Sequence, residues 1–281
     1  MNNAGNEAVA LPVLLQRWRS DLAGWAIPGH ITAAVPVSPW VLPRTVFARR
    51  ADRVTEAPSG SSFEREWGAL EPPGSVLDIG SGAGAACLPL LPRCTELTAV
   101  DSDAEMLELL ATRATAAGLT PRLVQGTWPD VATGIGKADV VACHHVAYNV
   151  PEIEPFIAAL DGAARRIVVL EVTAVHPLVS LNPLWLRFHG LSRPDGPSAD
   201  DLLAIVRAMG IAAQAERSVR PGGRDYESLA ELADITRRRL CLPPERGDEV
   251  SRALIESGIN PDQPMELASS GREIVTIWWH V

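Results

Sequence analysis

The sequence predicts an α/β fold: a seven-stranded, mostly parallel sheet with helices on both faces, preceded by an N-terminal helical segment. Three observations predict it. From residue 71 onward, short apolar runs rich in β-branched residues alternate with helix-length stretches, the pattern of a parallel sheet covered on both sides. The first of these runs, Val76-Leu77-Asp78-Ile79, passes directly into Gly80-Ser81-Gly82-Ala83-Gly84, a strand feeding a tight glycine turn. Residues 1–70 show no such alternation, so they form a separate helical segment that acts as a lid or cap. With 281 residues, 47% of them hydrophobic and 21% charged, the chain is long enough to bury a sizeable core and too apolar to stay disordered.

The elements follow in order. Leu11–Trp25 reads as an amphipathic helix, with Leu14, Leu15, Trp18, Leu22 and Trp25 near one face. A stretch punctuated by Pro28, Pro36, Pro39 and Pro43 follows, and the segment holds Trp18, Trp25, Trp40 and Trp67. Strands are placed at 75–79, 96–101, 122–125, 138–143, 166–171, 212–219 and 273–279. A helix-like stretch, Ala85–Leu91, follows the glycines. Ser102-Asp103-Ala104-Glu105 reads as a capping box before Met106–Ala117. Asn149, Pro151 and Glu152 open the next helix, and Ser198-Ala199-Asp200-Asp201 opens Leu202–Met209, which Gly210 ends. Trp278 and Trp279 read as core plugs in the last strand. Two insertions interrupt the 71–281 domain. One, at about 175–197, carries His176, Trp185, Arg187, Phe188 and His189; the other, at about 225–258, is helical and charged and is open to a cap or a homodimer role.

In a parallel sheet the run ending at Asp78 and the run Leu97-Thr98-Ala99-Val100, which ends in Asp101, lie side by side. A nucleoside then rests across the glycines with its ribose on Asp101. The glycines alone also fit the loose dinucleotide pattern with an acid about 20 residues on, as in a nicotinamide oxidoreductase. Asp78 argues against that reading, because dinucleotide folds keep an apolar residue at the end of that strand. The strict every-second-residue glycines also suit a compact amino-acid moiety better than a pyrophosphate.

Val76–Gly84 resembles the first motif of the class I S-adenosylmethionine-dependent methyltransferases, and Ala99-Val100-Asp101-Ser102 resembles their second. Val124–Asp130 sits where the third motif belongs and Ala138–Val146 where the fourth does. The resemblance covers roughly residues 71–220 and implies a Rossmann-like fold with S-adenosyl-L-methionine as cofactor. In one departure, Thr127 stands where an acid often follows the glycine of the third motif. Carried over position by position, the resemblance implies Asp78, Gly80, Ser81, Gly82, Gly84, Asp101, Ser102, Met106, Thr127, Trp128 and His144 as cofactor-binding residues. Asp78 bonds the cofactor's amine or orients the turn, and Met106 packs on the adenine or in the core.

Cys143-His144-His145-Val146-Ala147-Tyr148 leaves the fourth strand toward the acceptor. Strand alternation sends His144 and His145 to opposite sides, so at most one faces the donor methyl. His145 is the catalytic candidate, a base near neutral pH, with Tyr148 lining the acceptor pocket. Glu171 and His176 are further candidates, and His30 and His189 read as surface or lid residues.

Cys87, Cys94, Cys143 and Cys241 show no C-x-x-C spacing, so neither a metal site nor a disulfide framework is expected. Met1–Ala8 lacks the basic start of a signal peptide and no apolar run approaches the ~20 residues of a membrane span, so a cytoplasmic protein without membrane partners is expected. The chain has a single lysine, Lys137, and a formal charge of −9, which disfavours nucleic acid as a partner. Arg17, Arg19, Arg44, Arg49, Arg50 and Arg53 nevertheless make the N-terminal part locally basic. The reading is therefore a methyltransferase acting on a small-molecule acceptor; the alternatives are an RNA methyltransferase docking through that segment, or a non-catalytic binding or assembly protein.

Overall fold

The structure is a computed structural model and describes residues 10–33, 35, 39, 43–219, 226–264 and 273–281. Trp40, Pro36 and Asp225 lie outside the described residues.

Four helices precede the sheet: α1 (Leu11–Ala23), α2 (Gly29–Thr32), α3 (Arg44–Glu56) and α4 (Ser61–Ala69). Next come β1 (Gly74–Ile79), β2 (Cys94–Asp101), α5 (Ala104–Ala116), β3 (Arg122–Gln125), β4 (Ala138–His144), α6 (Ile153–Ala163) and β5 (Ala164–Thr173). The chain continues through α7 (Asn182–His189), α8 (Ala199–Ala208), β6 (Gln214–Val219), α9 (Leu229–Arg239), α10 (Gly247–Glu256) and β7 (Glu273–His280). All seven expected strands form, and they make one sheet in the order β3-β2-β1-β4-β5-β7-β6. Only β7 runs antiparallel to its neighbours, inserted between β5 and β6. Among the described residues no helix is long and apolar enough to cross a membrane.

Alternate residues of the central strands feed two cores. Leu77, Ile79, Val141, Cys143, Val168 and Leu170 pack with α1, α6 and α8, while Val76, Val140, Ile167, Val169 and Trp278 pack toward α4 and α5. Burial on both faces explains why these strands read as unbroken apolar runs. Trp278 and Trp279 are buried on opposite faces, as expected of core plugs. A third cluster joins Ile31 and Val46 to Leu184, Trp185, Leu232, Val250 and Leu254, so the two insertions pack together as a cap.

Two local expectations are corrected. No α-helix follows the glycine turn; the chain makes turns and then a 3-10 helix, Leu88–Arg93. Pro89 and Pro92 lack the backbone N–H that an α-helix needs there. The cap of α5 is Asp103, whose carboxylate accepts from the Glu105 N–H at 3.0 Å; Ser102 lies one residue too early. By contrast Ser198 and Asp201 form the expected reciprocal capping box of α8.

Candidate active site

The strand order reverses between β1 and β4, and ligands in open α/β sheets bind beyond the carboxyl ends at such a switch point. On the β1–β2 side, Asp101 organises the turn. Its Oδ2 accepts from the Gly82 N–H at 2.8 Å and its Oδ1 from the Asp103 N–H at 2.9 Å. One carboxylate thus ties the glycine turn to the start of α5 and keeps lone pairs for further donors. Arg44, at the start of α3, grips Asp103 at 3.0 Å and Glu105 at 2.9 Å.

The three glycines have different surroundings. A Cβ on Gly80 would stand 2.3 Å from Val146 Cγ2, and one on Gly84 would stand 2.7 Å from Leu88 Cγ. Gly82, at φ +50°, has nothing within 4 Å of that position. Gly80 and Gly84 therefore pack against protein, and Gly82 presents bare backbone to open space. Beside it two buried polar atoms, Ser81 Oγ and Asp78 Oδ2, have no hydrogen-bond partner among the described residues. Buried polar atoms are rarely left so, and each calls for a ligand or water. Burial pushes Asp78 up to about 6, with Glu66 and Asp101 adding to the shift and the Cys87 hydrogen bond and His144 opposing it.

The other residues carried over from the resemblance fall into two groups. Ser102 and Thr127 are exposed beside Asp101, whereas Met106 and Trp128 are buried, Met106 on α5 in the core cluster of Val76 and Leu110 and Trp128 with its Nε1–H on Phe156 O at 3.3 Å. His144 ends β4 and is mostly buried, its side chain 15% exposed.

A polar row lies beneath α4; its His144 and Glu171 were singled out from sequence, but Glu66, Ser61, Ser62 and Glu216 were missed. His144, Glu171, Thr276 and Glu216 are direct register partners across β4, β5, β7 and β6. From above, α4 supplies Glu66 to His144 Nε2 at 2.7 Å, the Ser62 hydroxyl to Glu171 Oε2, and the Ser61 hydroxyl to Glu216 at 2.8 Å. Glu66 and Glu171 are 1% and 3% exposed. Burial works against a charge on His144, but Glu66, Glu171 and Asp78 overcome it and raise the imidazole to about 9. Burial raises Glu66 from its ordinary value while His144 pulls it down. His144 is thus a cation at neutral pH, held by Glu66.

His145 does not continue the alternation. It adopts φ +60°, a left-handed conformation costly for a residue with a side chain, and its N–H donates to Glu171 O at 2.7 Å. Its Nε2 then meets Glu171 Oε1 at 3.0 Å. The two histidines therefore share one acidic cluster instead of pointing to opposite sides. Beyond His145 stands a line of rings. Tyr148 is 6.3 Å from His145 and 5.7 Å from His176, and His176 stacks on Trp25 at 4.2 Å. Burial, with Arg193 nearby, lowers His176 to about 4, so it is neutral, and its Nδ1 accepts from the Leu178 N–H at 3.3 Å. His30 is exposed, and His189 packs within the cap, its ring 4.9 Å from Trp185.

Residues 76–166, from β1 into β5, match the family described as a methyltransferase domain. Over 98 residues the chain is 33% identical to a release factor glutamine methyltransferase of Agrobacterium fabrum, an alignment covering 31% of this chain. The match spans about a third (34%) of that relative's length. Among solved structures, the YcgJ protein of Bacillus subtilis is 19% identical with a TM-score of 0.52, covering 78% of this chain and 97% of that one. A cyclopropane-fatty-acyl-phospholipid synthase-like protein of Lactobacillus casei is 15% identical with a TM-score of 0.53, covering 89% and 97%. Both share the fold. Residues 76–166 are thus similar to a methyltransferase domain, and the four motifs fall in order on β1 to β4.

Proposed function

We propose that the chain binds S-adenosyl-L-methionine across the β1–β2 edge and passes its methyl group to a small-molecule acceptor held near His145 and Tyr148. The observation that carries this reading is the Asp101–Gly82 arrangement: a carboxylate pinning a bare backbone that faces open space. Asp101 takes the ribose hydroxyls by charge-assisted hydrogen bonds. Gly82 lets the chain approach the amino-acid portion, and Ser81 Oγ and Asp78 Oδ2, both without partners, are the polar atoms that portion would satisfy. Gly80 and Gly84 hold the turn's shape against Val146 and Leu88. Ser102 and Thr127 form the exposed rim, while Met106, Trp128 and His144 shape the site from behind.

When bound, the cofactor supplies a methyl carbon already activated by its sulfonium. The protein's share is alignment, worth up to about 7–11 kcal/mol in well-positioned cases. His144 is charged and engaged by Glu66, so His145 is the residue suited to take a proton from the acceptor. Tyr148 and His176 line the acceptor's side.

The arginines of residues 1–70 support a small molecule over RNA. Arg17 is 3.6 Å from Asp201, Arg19 2.7 Å from Glu152, and Arg49 2.6 Å from Glu231. Charges answered within the chain leave less to neutralise phosphates.

Calorimetric titration with S-adenosylhomocysteine tests the reading, with Asp101→Ala and NADH as controls. Micromolar binding that the variant loses is expected. No binding to the wild-type chain, or a preference for NADH, overturns it.

A further inference from the structure

We propose that Glu171 is a positioning residue that fixes the tautomer of His145, with Ser62 holding the far side of its carboxylate, so that the site serves acceptors that shed a proton on methylation: hydroxyls or amines. The inference rests on the proposed methyl transfer.

The argument begins with the backbone. His145 sits at φ +60°, where a non-glycine residue is strained, and strain of this kind persists only where surrounding contacts impose it. Two contacts that favour it are on Glu171: the His145 N–H donates to Glu171 O at 2.7 Å, and His145 Nε2 lies 3.0 Å from Glu171 Oε1. An extended His145 would follow strand alternation away from β5. The left-handed turn brings the ring back onto the carboxylate.

The carboxylate is itself held. The Ser62 hydroxyl donates to Oε2, His145 Nε2 lies 3.0 Å from Oε1, and the carboxylate is buried. A carboxylate oxygen 3.0 Å from Nε2 favours the hydrogen on that nitrogen. The neutral ring therefore carries its lone pair on Nδ1, and the negative charge raises the basicity of that lone pair. The neighbouring His144 is already committed to Glu66 at 2.7 Å, so the two buried acids divide the two histidines between them. Asp78 is a further ionisable group of this cluster on the sheet, and the Tyr148 ring lies 6.3 Å from His145.

In the reaction this arrangement serves, the acceptor heteroatom bonds the methyl carbon while the carbon–sulfur bond breaks, its electron pair remaining on sulfur. The acceptor's proton passes to His145 Nδ1. The imidazolium so formed is stabilised by Glu171 and later loses its proton to water. An acceptor with no proton to lose gains nothing from such a device.

Nitrogen-detected NMR of the histidine rings across a pH series, on the whole chain with S-adenosylhomocysteine present, tests the assignment. In the wild-type chain His145 should carry its neutral-state hydrogen on Nε2. In Glu171→Gln its pKa should fall by about 1–3 units, the shift an adjacent opposite charge produces. Ser62→Ala, which leaves the carboxylate in place, should give a smaller fall in the same direction and guards against a Glu171 variant that fails to fold. An Nδ1–H tautomer in the wild-type chain, or a His145 pKa unmoved in both variants, overturns the proposal. Affinity for S-adenosylhomocysteine should stay within about threefold in both variants, so its loss in the wild-type chain marks failure of the methyltransferase reading and not of this one.

Discussion

Gly80 and Gly82 share left-handed backbone, at φ +69° and +50°, but differ in what lies beyond the missing Cβ. The difference predicts opposite phenotypes. Gly80→Ala drives a methyl group into Val146, adding an overpacking cost of about 1–3 kcal/mol to a left-handed penalty of about 1–2 kcal/mol. Gly82→Ala carries only the second cost and places its methyl where the cofactor's amino-acid portion is proposed to lie. Thermal unfolding should therefore rank Gly80→Ala as the less stable. Calorimetry with S-adenosylhomocysteine should rank Gly82→Ala as the weaker binder, by roughly tenfold or about 1.4 kcal/mol. Adding Val146→Ala should return the packing part of the Gly80→Ala loss and none of the backbone part. The alternating glycines were legible in the sequence, because their spacing is local. Their division into packing and ligand-facing positions was not, since it depends on Val146 and Leu88 reaching back into the turn.

At the scale of elements, α4 shows why part of the site was hidden. Polar residues on a helix, such as Ser61, Ser62, Arg65 and Glu66, usually form a solvated face, so they were not singled out from sequence. Here their partners, Glu216, Glu171 and His144, arrive from three strands that are far away in sequence and adjacent only in the sheet. The central strands, buried on both faces, announce themselves by their apolar runs, whereas the edge strands β3 and β6 are largely exposed. The row of polar residues at their ends is set by register, which one sequence does not reveal. Glu66 and His144 yield a pH prediction. The folded His144 binds its proton up to about pH 9, whereas in the unfolded chain it does so only to about 6.5. The stability this contributes is complete below pH 6.5 and is lost as pH rises through 9. Urea unfolding at pH 6, 7.5 and 9.5 should show that decline in the wild-type chain. In Glu66→Gln the midpoint at pH 7.5 should be lower and the decline should move to lower pH, because only Glu171 and Asp78 then oppose burial at His144. An unchanged alkaline limb in the variant would remove the pair from the account.

At the scale of the molecule, the sheet and the cap are two cores with different duties. Strands β1, β2 and β4 and the cofactor-side residues belong to the two clusters that sandwich the sheet, while α7, α9 and α10 close a third around Trp185, Leu232 and Leu254. The insertion that carries α7 also carries His176, stacked on Trp25, so the proposed acceptor side is tied to the cap and the proposed cofactor side to the sheet. Cooperative units of this kind open with their own free energies. Leu254 is fully buried in the cap, and Leu254→Ala should cost about 2–5 kcal/mol, the usual range for such a truncation. Hydrogen exchange should show that loss in α9 and α10 while β1, β4 and β5 keep their protection. Binding of S-adenosylhomocysteine should be unchanged. Phe156→Ala, in the core beneath β4 and β5, should instead lower protection in the sheet as well as the cap, since the cap has no support without the sheet. Equal loss of protection everywhere in Leu254→Ala would mean that cap and sheet unfold as one unit, and acceptor specificity could then not be altered in the cap without weakening the cofactor site.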